Sequence, residues 1–200
     1  MKHILLFCRY PELGQVKSRL AASCGQKKAL LLYEKMLSTL LANLDKSDFE
    51  LRIHYTGCDQ ETTKSWLPGR SLFEQVQGDL GERLIHGAKR SFEDGADEIL
   101  LIGADCPEID KKVCEEAFAR LAETDLVLGP ATDGGYYLLG IKKLYEGLFR
   151  DISWGTSGVR SQTESAAKEL NLKLFLMDEK QDMDFWEDIP KNWKEDVEQI

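Results

Sequence analysis

Two short runs of unbroken apolar sequence constrain this chain most. Ile4-Leu5-Leu6-Phe7-Cys8 and Ile99-Leu100-Leu101-Ile102 carry no polar residue at alternate positions, so neither can be a strand with one wet face. Strands apolar on both faces belong inside a parallel sheet covered by helices on each side. Each run ends abruptly in polar turn sequence, Arg9-Tyr10-Pro11 after the first and Ala104-Asp105-Cys106-Pro107 after the second.

The segments between them fit the same plan. Residues 27–44 read as a helix, with Leu30, Tyr33, Leu37, Leu40, Leu41 and Leu44 on one stripe. Residues 51–56 alternate like a strand, and 71–76 form a weaker one. Asp79 followed by Glu82 is a capping box that opens a helix with Leu80, Leu84, Ile85, Ala88 and Phe92 inward. Asp110 caps another helix, residues 126–128 and 136–141 read as strands, Val159 to Leu170 as a helix, and 172–177 as a last strand. The tail, 178–200, is acidic, with Trp186 and Trp193 as expected anchors. Strands alternating with helices predict an α/β fold of three layers, α/β/α, around a mostly parallel doubly wound sheet. No linker or repeat interrupts residues 1–200, which are read as one domain.

Composition removes several function classes. The net charge of −9 argues against nucleic acid, which needs a basic footprint. No apolar stretch approaches the roughly 20 residues of a membrane helix. The five cysteines are odd in number and show no CxxC spacing, which predicts reduced thiols in a cytoplasmic protein. The three histidines lack ligand spacing and read as structural or surface residues.

In an open α/β sheet, ligands bind at the carboxyl ends of the strands, so the polar residues there are the candidates. After the first run come Arg9, Gly14, Lys17 and Arg19. A glycine turn with three cations can wrap a phosphate, although a solvated basic face has the same composition. The GxxxxGK[ST] and GxGxxG patterns are both absent. Asp105 stands at the end of a buried strand, either as a turn or capping residue or as a ligand for Mg²⁺ or Mn²⁺. Such a cation needs a second carboxylate, for which Asp182 and Asp184 are the best placed. Asp133-Gly134-Gly135-Tyr136 is either a tight turn or the edge of an acceptor pocket, with Asp133 as base and Gly134, Gly135 and Tyr136 as lining. Trp154 and Thr156 line that pocket or belong to the core.

Taken in order, these pieces resemble the DUF2064 family within the nucleotide-diphospho-sugar transferase superfamily. The motifs are Pro11…Gly14…Lys17-Ser18-Arg19-Leu20, Gly78-Asp79-Leu80-Gly81-Glu82-Arg83, Gly103-Ala104-Asp105-Cys106-Pro107, Gly129-Pro130-Ala131-Thr132-Asp133-Gly134-Gly135-Tyr136-Tyr137, Trp154-Gly155-Thr156 and Asp182-Met183-Asp184. More distantly, the chain is similar to molybdenum-cofactor and 2-phospho-L-lactate guanylyltransferases. The resemblance implies a GT-A-like nucleotide-binding sheet with a divalent cation at Asp105 and Asp184, Asp182 beside them. It assigns phosphate binding to Arg9, Lys17 and Arg19, and approach to the nucleobase to Gly78 and Gly81. Phe185 departs from the family's usual Thr. Members are commonly described as glycosyltransferase-like. The expected reaction is therefore glycosyl transfer from a nucleotide-diphospho-sugar to a small-molecule acceptor, with Lys17, Arg19 and Asp133 in the catalytic roles. The alternative is nucleotidyl transfer from a nucleoside triphosphate with release of pyrophosphate, which gains more from a cationic first loop. A binding module without turnover is the third reading.

Overall fold

The computed structural model describes residues 1–198; Gln199 and Ile200, the end of the acidic tail, lie outside the described residues. Seven strands form one sheet: β1 (Lys2–Arg9), β2 (Glu50–Thr56), β3 (Ser71–Glu74), β4 (Glu98–Gly103), β5 (Leu126–Pro130), β6 (Tyr136–Ile141) and β7 (Leu174–Leu176). Their order across the sheet is β3-β2-β1-β4-β6-β5-β7. Every neighbouring pair is parallel except the two that involve β6, which runs against both β4 and β5. The two apolar runs pair directly, Leu5 opposite Leu101 and Leu6 opposite Ile102, at the centre of the sheet.

Helices cover both faces. One face packs against α2 (Gln26–Leu44) and α5 (Lys111–Leu121), whose Leu37, Leu40, Phe118 and Leu121 meet Ile4, Leu6, Ile53 and Leu100. The opposite face packs against α4 (Leu80–Glu93) and α6 (Val159–Glu169), where Leu84, Ala88 and Ala167 meet Leu5, Leu101 and Leu139. Successive strand residues therefore feed different layers, as a strand's period of two requires. This is the three-layer α/β/α arrangement expected from the apolar runs. A third cluster joins Leu20 of α1 (Ser18–Cys24) to Leu32 and Met36 of α2. It also takes in Met183, Ile189 and Val197, so it ties the tail to the body. Trp186 and Trp193 pack against it, as anchors should.

The helix starts follow their capping chemistry. Asp79 Oδ1 accepts from the Glu82 backbone N–H, and Glu82 returns the bond to Asp79 N, both at 2.9 Å. Asp110 caps α5 by accepting from Val113 N. The expected strands 71–76 and 172–177 are shorter than their sequence pattern, and Leu80, expected inward, is exposed at the first position of α4, where it lines both cavities of the site described below. Three short helices carry too few turns for a stripe to be read: α1, α3 (Gln60–Trp66) and α7 (Lys191–Glu198). None of the described helices is long and apolar enough to cross a membrane.

His54 on β2 is a structural histidine. Its ring is stacked between Phe7, 4.8 Å away, and Phe73, 5.2 Å away. Its Nε2 has no hydrogen-bond partner. Burial, then the Arg52, Arg90 and His86 charges, push its pKa down to about 3. The folded chain thus holds it neutral where the unfolded chain, near 6.5, takes up a proton. Its contribution is complete above pH 6.5 and is lost as pH falls toward 3. Urea unfolding of the wild type and His54→Phe should therefore diverge on acidification. The wild type should lose about 2 kcal/mol more than the variant between pH 7 and pH 5. Parallel pH profiles for the two proteins would show that His54 is not held neutral.

Candidate active site

β1 ends in a loop whose shape is fixed from α2. The Tyr33 hydroxyl accepts from Arg9 N at 2.9 Å and donates to Arg9 O at 2.7 Å, closing both backbone groups of the last strand residue. The chain then turns through Gly14 and reaches Lys17, which precedes α1 in the left-handed region, φ 50° and ψ 51°. A non-glycine residue there costs of the order of 1 kcal/mol. This backbone setting accompanies an inward side chain. Lys17 Nζ lies 2.5 Å from Asp105 Oδ1 and 2.8 Å from Asp184 Oδ1, with the side chain only 5% exposed. Burial pulls the ammonium pKa down, but Asp105 and Asp184 more than reverse this, and the net shift is upward. Arg19 adds a second cation: one nitrogen is 3.1 Å from Asp184 Oδ2 and the other donates to Gly155 O at 3.0 Å.

The carboxylates are equally well supported. Asp105 follows β4, and its backbone carbonyl accepts from Met183 N at 3.0 Å. Met183 is buried in the third cluster, so its two neighbours Asp182 and Asp184 are held at the strand end. Asp188 accepts from the backbone N–H groups of Asp184 and Phe185, which fixes the turn that follows. From the other side, the β5–β6 connection brings Asp133, whose Oδ1 accepts from Gly135 N at 2.7 Å. Gly134 takes φ +89°, and a Cβ there would meet Ser157 O at 2.3 Å.

One oxygen each from Asp133, Asp182 and Asp184 lies within 4.8 Å of the others. Asp182 feels this crowding. Burial first, then the Asp133 and Asp184 charges, raise its pKa to about 6, against the pull of Lys17. An all-oxygen carboxylate set with a buried member of this kind fits a hard divalent cation such as Mg²⁺ or Mn²⁺. Asp105 reaches the group differently, facing Asp184 across the Lys17 ammonium.

These residues stand at the junction of two cavities on the carboxyl edge of the sheet. The larger, about 440 Å³, lies over β1 and β2 and is lined by Arg9, Lys17, Arg19, Thr56, Gln75 and Arg83 among others. The smaller, about 240 Å³, lies over β5 and β6 and is lined by Asp133, Gly135, Tyr136, Tyr137, Trp154, Thr156 and Asp182 among others. Asp105, Asp184, Gly103 and Leu80 line both. The sequence candidates thus divide between the chambers. Gly14, Gly78, Gly81 and Gly134 line neither. Gly78 and Gly81 serve the entry to α4: a Cβ on Gly78 would strike the Glu82 carboxylate that closes the capping box.

Among the lining residues that went unread in the sequence are Tyr33, Gln75 and Arg83. Tyr33 counts toward the α2 stripe, and Arg83 looks like any exposed helical cation. Gln75 follows a weak strand. Its side-chain nitrogen donates to both Cys8 O and His54 O, at 3.1 and 2.7 Å. Both N–H bonds are thereby used, and the amide oxygen is left as the free acceptor on the larger chamber. The capped start of α4 was the signal that could have drawn attention to Arg83.

Gly81 offers a direct check on this packing. A Cβ there would come within 2.4 Å of Phe149 O and 2.9 Å of Trp154 Nε1. Gly→Ala in a helix ordinarily gains up to about 1 kcal/mol. Here the clash with backbone should outweigh it, so Gly81→Ala should destabilise by about 1–3 kcal/mol. Chemical denaturation measures this, and a stabilised variant would mean that α4 does not press on the Trp154 loop.

The chain is similar to known proteins in sequence and in fold. A family described as "Uncharacterized protein conserved in bacteria (DUF2064)" matches residues 39–156. A 2-phospho-L-lactate guanylyltransferase of Methanocaldococcus jannaschii is 29% identical over 172 residues, 83% of this chain and 70% of that protein. A crystal structure from Desulfovibrio desulfuricans G20, of a protein proposed to be a nucleotide-diphospho-sugar transferase, superposes with a TM-score of 0.87 at 34% identity. That match covers 92% of this chain and 82% of the other. The manganese complex of Rv0371C from Mycobacterium tuberculosis H37Rv shares the fold at a TM-score of 0.58 and 15% identity, over 100% and 98% of the two chains.

Proposed function

This chain belongs to the DUF2064 family, and on that premise we propose that it is a metal-dependent transferase that moves a glycosyl group from a nucleotide-diphospho-sugar to a small acceptor. The observation that carries this reading is that Asp105 and Asp184, which line both chambers, hold Lys17 and Arg19 on the side of the larger one. A donor with its nucleoside in the larger chamber and its sugar toward the smaller one would lay its diphosphate across that junction. Arg9, Lys17 and Arg19 would then hold the phosphate oxygens by charge-assisted hydrogen bonds. Asp105 holds the Lys17 ammonium from one side and so orients it.

Asp182 and Asp184 are the residues that would hold a divalent cation, since Mg²⁺ usually takes one or two protein carboxylates and completes its shell with phosphate and water. When bound, the cation would neutralise charge on the departing nucleoside diphosphate. Asp133 lines only the smaller chamber, beside the acceptor, and is exposed there. It is the group placed to take the acceptor's hydroxyl proton.

A second reading, nucleotidyl transfer from a nucleoside triphosphate, is favoured by the guanylyltransferase relative. The two separate by product. Glycosyl transfer releases a nucleoside diphosphate from a nucleotide sugar, whereas nucleotidyl transfer releases pyrophosphate from a triphosphate. Thermal-shift screening of both donor classes with Mg²⁺ or Mn²⁺ should identify a nucleotide sugar, which at 100 times its Kd stabilises by about 2.7 kcal/mol. Preference for a triphosphate, with pyrophosphate release, would replace the first reading by the second.

Site variants test the roles. Lys17→Ala and Arg19→Ala should each weaken a nucleoside diphosphate about tenfold or more while leaving the free nucleoside little changed. Equal losses for both ligands would remove the first loop from phosphate binding. Asp133→Asn should lower kcat by about 10²–10⁴-fold with Mn²⁺ affinity retained. Loss of Mn²⁺ affinity instead would make Asp133 a third metal ligand.

A further inference from the structure

The smaller chamber has a charge pattern that its relatives' names do not predict. Four aspartates face it, Asp105, Asp133, Asp182 and Asp184, and among the described residues no Lys, Arg or His lines it. The cations nearest to it are all engaged. Lys17 and Arg19 are bound to Asp184, on the side of the larger chamber. Arg160 pairs with Glu164 and Glu179, and Lys180 pairs with Glu108. The rest of the wall is uncharged and largely aromatic: Tyr136, Tyr137 and Trp154, with Tyr136 and Trp154 edge to face at 6.4 Å, and Thr156 as a hydroxyl.

We propose that the smaller chamber takes an uncharged polyhydroxy acceptor of monosaccharide size, and rejects acceptors bearing a phosphate or carboxylate. The inference rests on the glycosyl-transfer reading above and extends it to the second substrate. With the donor bound, Lys17, Arg19 and a cation at Asp182 and Asp184 would be committed to its diphosphate, so an anionic acceptor would meet the Asp133 carboxylate with no cationic side chain in the chamber wall. Like charges brought together without a counter-charge oppose binding. An acceptor bearing an ammonium would compete with the cation for Asp182 and Asp184, and a sugar or polyol meets neither difficulty. Aromatic walls suit the apolar face of a pyranose ring, and carboxylates accept from hydroxyl donors. The volume of about 240 Å³ lies just below the usual range for drug-sized ligands, which limits the acceptor to a small one.

The step balances without any further reactant. An acceptor hydroxyl oxygen bonds to the anomeric carbon of the donor sugar. The bond from that carbon to the diphosphate oxygen breaks, and the nucleoside diphosphate leaves with the electron pair. The hydroxyl proton passes to the Asp133 carboxylate and then to water. A phosphate nucleophile, as nucleotidyl transfer to a phosphorylated acceptor requires, would have to enter this chamber with its charge unmatched by any side chain in the wall.

Matched probes test the proposal on the full chain in Mg²⁺ with saturating GDP or UDP, whichever is bound. Affinities for glucose, mannose, myo-inositol, glucosamine, glucose 6-phosphate and 2-phosphoglycerate are measured by ligand-observed NMR. At least one neutral probe should bind, and glucose should bind at least tenfold more tightly than glucose 6-phosphate. Trp154→Ala should weaken the neutral probe tenfold or more with nucleotide affinity unchanged. Val159→Lys, which puts a cation in the wall, should narrow or invert the preference against the phosphate. Equal or tighter binding of the phosphorylated probes by the wild type overturns the inference. So does tighter binding of glucosamine than glucose, failure of every neutral probe, or indifference to Trp154→Ala. Failure of both nucleotides to bind in Mg²⁺ strikes instead at the donor reading, so the two failures are distinguishable.

Discussion

The Lys17 ammonium is the interaction on which the site depends. It is almost wholly buried and touches carboxylates from two distant parts of the chain, Asp105 after β4 and Asp184 in the tail. A buried charge is tolerable only when paired and hydrogen-bonded, and here two acids share one cation with Arg19 as reinforcement. Removing the ammonium would leave Asp184 with Arg19 alone and Asp105, which is half exposed, to water. The same contact ties the first loop to the end of β4 and to the tail, with Lys17 in the left-handed region. One ion pair thus positions phosphate-binding candidates and metal-binding candidates together.

The sheet explains why so many elements arrive at one edge. Six strands run the same way, so their carboxyl ends share a side, and β6 runs oppositely. An antiparallel strand after β5 needs only a short connection, which places Asp133 and Tyr136 at that same edge. A glycine is needed opposite: the Tyr137 ring lies where a Cβ of Gly129 would stand, 2.4 Å away, beside an irregularity in the β5 register. The tail then continues parallel to the end of β5, Lys180 bridging to Ala131, before the Asp105 carbonyl catches Met183. The smaller chamber is the space between the hairpin, the Trp154 loop and this returning tail.

The division of labour between the chambers follows from charge. The side over β1 and β2 gathers Arg9, Lys17, Arg19 and Arg83, together with an amide oxygen held in place at Gln75. The side over β5 and β6 gathers acids and aromatic rings. A polyanion is matched on the first side and opposed on the second. Under the proposed function, such an asymmetry would favour a polyanion on the first side and disfavour it on the second.

Much of this was determined by the sequence alone. Unbroken apolar runs can be satisfied only between two helical layers, and the ligand edge follows from parallel strands. That is why the fold class, the first loop, Asp105 and the tail aspartates could be picked out. Capping boxes act through local spacing, so the starts of α4 and α5 were also legible. Tertiary structure decided the rest, because it depends on which distant residues meet. No pattern says that Lys17 turns inward to two acids, since that requires the tail to return to β4. Nor does sequence separate Gly135, on the chamber wall, from Gly81, which lets α4 approach Phe149 and Trp154. Gln75 and Tyr33 looked like ordinary residues of a weak strand and a helix stripe. Their roles arise only when strands from different parts of the chain end side by side, a matter of three-dimensional register that single-sequence periodicity does not encode.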